Sequence, residues 1–273
     1  MMPPIAHSIL GESPIYSRAR DSLIWVDTYG GKLHFLHQAS HDYHCITVPS
    51  PVGFVAEDPG GRLVVGIGGA IKLLNKDDRL QPLSVCPAAR EGYRLNDARF
   101  DSAGRLWAGL IDEQLTPGSG QLWRYDADGS WHHIDGGFTL INGLDWSPDG
   151  RWLYVTESRG GAIYAYAFDG KAGRAASKRT LLSIPPDEGK PDGLRVTPDG
   201  YLLSVLFDGA ALLRITADGR IAERYPLPVP RPTSCAFSKD YDTLFVTSAT
   251  LGLSEKMRAA WPLSGTLLAL PWP

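Results

Sequence analysis

Six residues at equivalent positions of a repeated sequence unit have side chains that could hold a metal ion together. Each opens the first strand of its repeat, and in chain order they are Glu12, Gly53, Asn96, Asn142, Asp192 and Ser234. Four of these six carry a carboxylate or a carboxamide. Two carboxylates that converge in a channel repel each other, and their pKa values rise unless a cation lies between them. The pattern therefore predicts one divalent ion with open positions for water or substrate.

The predicted ligands are all oxygen atoms, which favours Ca²⁺, Mg²⁺ or Mn²⁺ and leaves Zn²⁺ and Fe²⁺ open. Asn and Asp also cap strands and turns, and that role would explain any one of the four residues alone. Four such residues at one position of the repeat favour the ion.

The elements that would position these residues are six copies of a unit of short strands. Repeat four begins Asn142-Gly-Leu-Asp-Trp-Ser-Pro-Asp-Gly, and repeat five begins Asp192-Gly-Leu-Arg-Val-Thr-Pro-Asp-Gly. The second strands open at Leu23, Leu63, Leu106, Leu153, Leu202 and Leu244. A period in the forties with several strands per unit is typical of propellers. We predict a six-bladed all-β propeller of four-stranded blades, forming one domain over residues 1–273.

Outer strands complete five of the predicted blades. They are expected at residues 43–49, 81–87, 131–137, 179–185 and 221–227. Repeat six has no such strand, whereas the segment 4–10 before repeat one has strand character. We predict that this segment pairs in the last blade and closes the ring, which removes an exposed sheet edge.

Composition and charge exclude several classes of function. The net charge is -3 with no block of like charge, so neither nucleic acid nor a membrane surface is expected as a partner. The opening stretch from Met1 to Pro14 has no basic n-region and no apolar h-region, so no signal peptide is expected there, and no apolar run approaches the length of a transmembrane helix. Three cysteines, Cys45, Cys86 and Cys235, lie far apart, which favours a reducing cytoplasm and buried thiols. No GxSxG, HExxH or P-loop motif occurs.

The sequence resembles the gluconolactonase/regucalcin (senescence marker protein) family of six-bladed propeller lactonases from about Gly11 to Leu270. The similar segments, in chain order, are GESPIY (11–16) with WVD (25–27), RLND (94–97), AGL (108–110), NGLDWSPDG (142–150) with YVTES, PDGL (191–194), and CAF (235–237) with LFVTSA. Each segment is short, and their order and spacing together carry the resemblance.

The resemblance implies metal ligation by Glu12, Asn142 and Asp192, and substrate binding by Arg94, Asn96 and Glu113. It implies hydrolysis of a sugar lactone, a cyclic ester, to the sugar acid. The ion would polarise the carbonyl, and Asp192 is our candidate general base because a ligating carboxylate lies within reach of the attacking water.

Two other functions remain open on the sequence alone. The same site could hydrolyse organophosphate or aryl esters, or the propeller could bind Ca²⁺ without catalysis. The sequence also leaves open the lactone, which could be hexonic, pentonic or charged, the native metal, and the oligomeric state.

Overall fold

The computed structural model describes residues 7–272, and these residues form six antiparallel sheets. Strands of blades one to three are β1 (Gly11–Ser17), β2 (Ser22–Asp27), β3 (Lys32–His37), β4 (Tyr43–Thr47), β5 (Val52–Glu57), β6 (Leu63–Ile67), β7 (Ala70–Leu74), β8 (Leu80–Val85), β9 (Tyr93–Phe100), β10 (Leu106–Asp112), β11 (Gly120–Tyr125) and β12 (Trp131–Phe138). Strands of blades four to six are β13 (Ile141–Trp146), β14 (Trp152–Glu157), β15 (Ala162–Asp169), β16 (Arg174–Ser183), β17 (Lys190–Val196), β18 (Leu202–Phe207), β19 (Ala211–Ile215), β20 (Ile221–Pro226), β21 (Pro232–Phe237), β22 (Thr243–Ser248) and β23 (Leu268–Pro271).

The first strands of the six blades surround a central channel. Each packs against the first strand of the next blade, in the order β1, β5, β9, β13, β17, β21 and back to β1. Within each blade the strands pair in chain order from the channel outward. The predicted six-bladed propeller is therefore confirmed, and the five predicted outer strands are present as β4, β8, β12, β16 and β20.

Local sequence explains the sharp turns between strands. Between β13 and β14 the segment Ser147-Pro-Asp-Gly forms a tight turn, in which the Gly150 N–H donates to the Ser147 carbonyl at 2.9 Å. Gly150 has a φ of +67°, which glycine adopts without steric cost. The Asp149 carboxylate accepts the Arg151 N–H at 3.0 Å and closes the turn.

The hydrophobic core lies between the blades. Six clusters of buried side chains occur, one at each of the six interfaces between neighbouring blades. The cluster that joins blades six and one contains Trp25 and Phe245. Trp107 is fully buried between blades three and four. Each blade thus buries both faces on its neighbours, which a single sheet cannot do.

The chain before β1 contacts blade six, which has three strands among the described residues. The Ser8 N–H donates to the Gly265 carbonyl at 2.8 Å, and Leu10 forms an antiparallel bridge with Ala249. The N-terminal chain therefore pairs in the last blade, as predicted. The first part of the predicted strand over 4–10 lies outside the described residues.

Two short helical segments interrupt the strands, a 3₁₀ turn at Pro186–Glu188 and α1 at Glu255–Ala260. Among the described residues no helix has the length and apolar character needed to cross a membrane. All three cysteines are free thiols. Cys86 and Cys235 are buried as expected, whereas Cys45 is exposed because it lies on the outer strand β4.

Candidate metal and active site

Irregular strand pairing aims the candidate residues at the channel. The register of the first strand shifts at Asn96 in blade three, at Asn142 in blade four and at Asp192 in blade five. In blade one the shift begins directly after Glu12. Such a bulge bends the strand and re-aims a side chain. The same distortion occurs in all six blades, and in four of them it lies at or next to a polar side chain of the predicted site.

Two glycines allow the first strands to approach one another. A Cβ on Gly143 would lie 2.1 Å from the backbone nitrogen of Leu194, and a Cβ on Gly193 would lie 2.3 Å from Oγ of Ser234. Neither contact is sterically allowed, so the residue after Asn142 and after Asp192 has to be glycine. This requirement explains the Asn-Gly and Asp-Gly pairs in the sequence.

All six residues predicted for the site line one pocket of about 210 Å³, at the mouth of the channel where the first strands begin. They are Glu12, Arg94, Asn96, Glu113, Asn142 and Asp192. Of the other two ring positions, Gly53 has no side chain, and Ser234 is fully buried away from the pocket. We call this end of the channel the acidic mouth.

The carboxylates of Glu12 and Asp192, hereafter the carboxylate pair, face the same space and form no salt bridge with any residue between 7 and 272, and the nearby charge of Arg94 offsets the rise of their pKa values only in part. Burial, followed by the negative charge of Asp97, raises the pKa of Glu12 to about 8. Burial, followed by the negative charges of Glu12 and Asp97, raises the pKa of Asp192 well above its usual range. Oδ1 of Asp192 is buried and has no hydrogen-bond partner among the described residues. A cation at this point would remove the repulsion.

A chain of amides fixes the third predicted ligand. Nδ2 of Asn96 donates to Oδ1 of Asn142 at 2.7 Å and to the Ile141 carbonyl at 2.8 Å. Nδ2 of Asn142 donates to Oγ of Ser158 at 3.0 Å. Oδ1 of Asn142 keeps one lone pair free, since a carbonyl oxygen has two. Asn96 therefore orients Asn142.

Arg94 provides the positive charge deepest in the pocket. It is 5% exposed, and its Nη1 donates to Oδ1 of Asn96. Its Nε lies 3.6 Å from Oε1 of Glu113, which is an ion pair too long for a hydrogen bond. Arg94 thus joins the amide chain to Glu113 and keeps donors for a substrate oxygen.

Several pocket residues were missed by the sequence analysis. Lys190 lies two residues before Asp192 on β17, and this alternation is a signal that could have placed it on the same side. Arg159 and Ser158 lie in the turn after β14, where the sequence carries no comparable signal. The remaining wall is apolar and is formed by Leu10, Tyr29, Ile111, Leu115, Leu140, Phe207 and Leu251.

A second pocket of about 300 Å³ occupies the opposite mouth, where the first strands end. It contains none of the predicted site residues and is lined by basic groups that include Arg99 and Arg195. Asp97 does not line the acidic mouth. Its Oδ1 accepts the Ala98 N–H at 2.8 Å. Burial raises the pKa of Asp97, and the positive charge of Arg195 is the largest of the effects that lower it. We call this end the basic mouth.

The donor set at the acidic mouth fits a divalent ion. Two carboxylates and one amide oxygen converge there, and the amide oxygen is held in place by hydrogen bonds. Residues 7–272 contain no cluster of three or more His, Cys, Asp or Glu side chains that could hold a metal. The predicted site differs from such a cluster because its third ligand is the amide oxygen of Asn142.

Fold and site together define a six-bladed propeller with an acidic central mouth, and comparison with known proteins identifies its family. The profile described as "SMP-30/Gluconolactonase/LRE-like region" matches residues 10–250. The chain therefore belongs to this family.

Individual relatives agree with this assignment. A 6-deoxy-6-sulfogluconolactonase of Pseudomonas putida is 32% identical over 96% of this chain and 91% of its own length. Regucalcin of Xenopus laevis is 30% identical over 94% of this chain and 88% of its own length. The crystal structure of regucalcin from Agrobacterium tumefaciens, described as a calcium-binding protein, has a TM-score of 0.92. It is 23% identical and covers 98% of this chain and 91% of the other chain, which shows the shared fold.

Proposed function

We propose that the chain is a lactonase that hydrolyses a sugar lactone to the sugar acid, with one divalent ion held by Glu12, Asn142 and Asp192. Family membership and the lactonase name of the Pseudomonas putida relative support hydrolysis of a cyclic ester. The observation that supports the metal most directly is the buried carboxylate pair, which forms no salt bridge among the described residues and in which Oδ1 of Asp192 accepts no hydrogen bond from them. The regucalcin relative that is described as calcium-binding supports it independently.

When bound, a divalent ion supplies a Lewis acid for the ester carbonyl and compensates the negative charge that develops on its oxygen. Asp192 accepts the proton of the water that attacks the carbonyl carbon. Its buried, unpartnered Oδ1 is the atom available for this proton. Asp192 then donates this proton to the ring oxygen when the bond between the carbonyl carbon and that oxygen breaks.

Arg94 and Asn96 have different tasks in this mechanism. Arg94 presents its remaining guanidinium donors to a hydroxyl or carbonyl oxygen of the lactone. Asn96 has both ends of its amide engaged by Arg94 and Asn142, so it acts by positioning those two residues. Glu113 holds Arg94 in turn through the 3.6 Å ion pair.

The test is a panel of esters given to metal-stripped protein with each divalent ion restored singly. The panel contains gluconolactone, xylonolactone, a phosphotriester and an aryl ester. We expect lactone opening that stops with chelator and returns with metal. Faster turnover of the phosphotriester or aryl ester would replace the proposed substrate class. Tight metal binding without turnover of any ester would indicate a calcium-binding role alone.

A further inference from the structure

Arg159 places a cationic side chain at the rim of the acidic mouth. Its backbone N–H donates to Oε1 of Glu157 at 3.0 Å, which fixes the turn after β14. Its side chain lines the pocket, is exposed, and forms no ion pair with any residue between 7 and 272. The proposed mechanism does not use this charge.

Lys190 brings a second positive charge to the same rim. Its Nζ donates to Oδ2 of Asp208 at 2.8 Å, and Nε of Arg231 donates to Oδ1 of the same carboxylate at 2.6 Å. One carboxylate is thus shared by two cations, so this group carries one net positive charge. We call Arg159 together with this group the cationic rim.

The rest of the pocket is balanced. The carboxylate pair matches the charge of one divalent ion, and Arg94 is matched by Glu113. The charge that remains, two positive units, lies on the cationic rim in blades four and five. A neutral lactone would leave both units without a partner, whereas an oxyanion would form charge-assisted hydrogen bonds with them.

The cationic rim also has a defined place relative to the reacting groups. Lys190 is two residues from Asp192 on β17, and Arg159 is next to Ser158, which hydrogen-bonds Asn142. The rim thus lies in the same pocket as the carboxylate pair, where the far end of a substrate whose ester lies at that pair could reach it. Phe207, the last residue of β18, lines the same pocket and has its ring centroid 5.8 Å from Nζ of Lys190.

We propose that the substrate is a sugar lactone with an oxyanion, a phosphate, sulfonate or carboxylate, at the end of the sugar away from the ester, and that Arg159 and Lys190 bind this group. This inference rests on the proposed function and narrows its substrate class.

The first test compares kcat/KM for glucono-1,5-lactone with kcat/KM for its 6-phospho, 6-deoxy-6-sulfo and 6-carboxylate counterparts at low salt. We expect at least one anionic lactone to exceed the neutral one about tenfold, the effect of one charge-assisted hydrogen bond. The preference should shrink as salt screens the rim. The arm with the highest value identifies the oxyanion. A neutral lactone that equals or exceeds all three would overturn the inference.

Variants test whether the preference for anionic lactones depends on the residues of the cationic rim. Arg159→Gln and Lys190→Gln should each lower the anionic-to-neutral ratio of kcat/KM about tenfold, mainly through KM. Arg220→Gln is the matched control, because it removes an arginine from an exposed turn of blade five, where it pairs with Asp218 at 2.9 Å. An unchanged ratio in both rim variants would contradict the assignment of these residues.

Binding of products gives a readout that needs no turnover. Calorimetry should find that 6-phosphogluconate binds the metal-loaded protein about tenfold more tightly than gluconate does, and that Arg159→Gln removes this difference. If no lactone is hydrolysed with any ion, the proposed function fails, and calorimetry still decides whether the rim binds oxyanions. Equal affinity for the two products would exclude phosphate as the oxyanion. The inference would be overturned, with lactone hydrolysis left in place, if the 6-deoxy-6-sulfo and 6-carboxylate products also bind no more tightly than gluconate.

Discussion

The two mouths of the channel differ in whether their carboxylates are paired with other groups of the protein. At the basic mouth, Asp145 lies 3.1 Å from Nε of Arg99 and accepts the Val196 N–H at 2.8 Å. At the acidic mouth, the carboxylate pair forms no salt bridge with residues 7–272, and Oδ1 of Asp192 accepts no hydrogen bond from them. The same strands therefore stabilise one end by internal pairing and leave the other end incomplete. An incomplete charged site in a buried position indicates an external partner.

The largest effect is expected when the acidic mouth loses a carboxylate. Asp192→Asn should lower kcat/KM for the lactone about a thousandfold, since it removes both a metal ligand and the proposed general base. Steady-state kinetics with saturating metal would measure this loss. A melting curve like that of the wild type would show that the fold is kept. Near wild-type rates would remove Asp192 from the mechanism.

The same substitution at the basic mouth should act on stability alone. Asp145→Asn weakens the partner of Arg99 and should lower the free energy of unfolding by about 1–3 kcal/mol. Turnover per folded molecule should not change. Urea titrations and kinetics on the variant would test both parts. A large loss of turnover in Asp145→Asn would contradict the assignment of a purely structural role to the basic mouth.

A smaller effect is expected from the residue that orients a ligand. Asn96→Ala frees Oδ1 of Asn142 from its hydrogen bond and should weaken metal affinity about 10–100-fold, as the loss of an orienting neighbour does at other metal sites. Calorimetric titration of stripped protein with the ion would measure the change. Metal affinity equal to that of the wild type would mean that Asn96 acts on the substrate only.

The smallest effect is expected at Glu113. Its side chain is 32% exposed and touches Arg94 only through a 3.6 Å ion pair. Glu113→Gln should therefore lower kcat/KM only a fewfold, in line with the small effect of exposed pairs. A loss as large as that of Asp192→Asn would instead give Glu113 a direct part in the reaction.

Sequence repetition was sufficient to predict the propeller and the ring of polar residues. The repeat places Asn142 and Asp192 at one position of two similar units, and the glycine after each reports the close approach of the first strands. Repetition also assigns Glu12 and Asn96 to that position, and both line the same pocket, while their roles stay a prediction. These predictions succeeded because each depends on local spacing within a repeat.

The parts that could not be predicted depend on side chains that meet from different blades. No spacing rule connects Arg159 with Lys190, because one lies in a turn of blade four and the other on the first strand of blade five. The sharing of Asp208 between Lys190 and Arg231 is a contact over 18 and 23 residues, set by packing alone. The hydrogen bonds that engage both ends of Asn96 are equally invisible in the sequence.

The central claim is that the acidic mouth holds one divalent ion, and anomalous X-ray diffraction from crystals grown with Mn²⁺ tests it most directly. We expect a single strong anomalous peak within coordination distance of oxygen atoms of Glu12, Asn142 and Asp192. The peak should be absent in Asp192→Asn crystals prepared in the same way. A peak confined to other residues, or none at full Mn²⁺ saturation, would contradict the account.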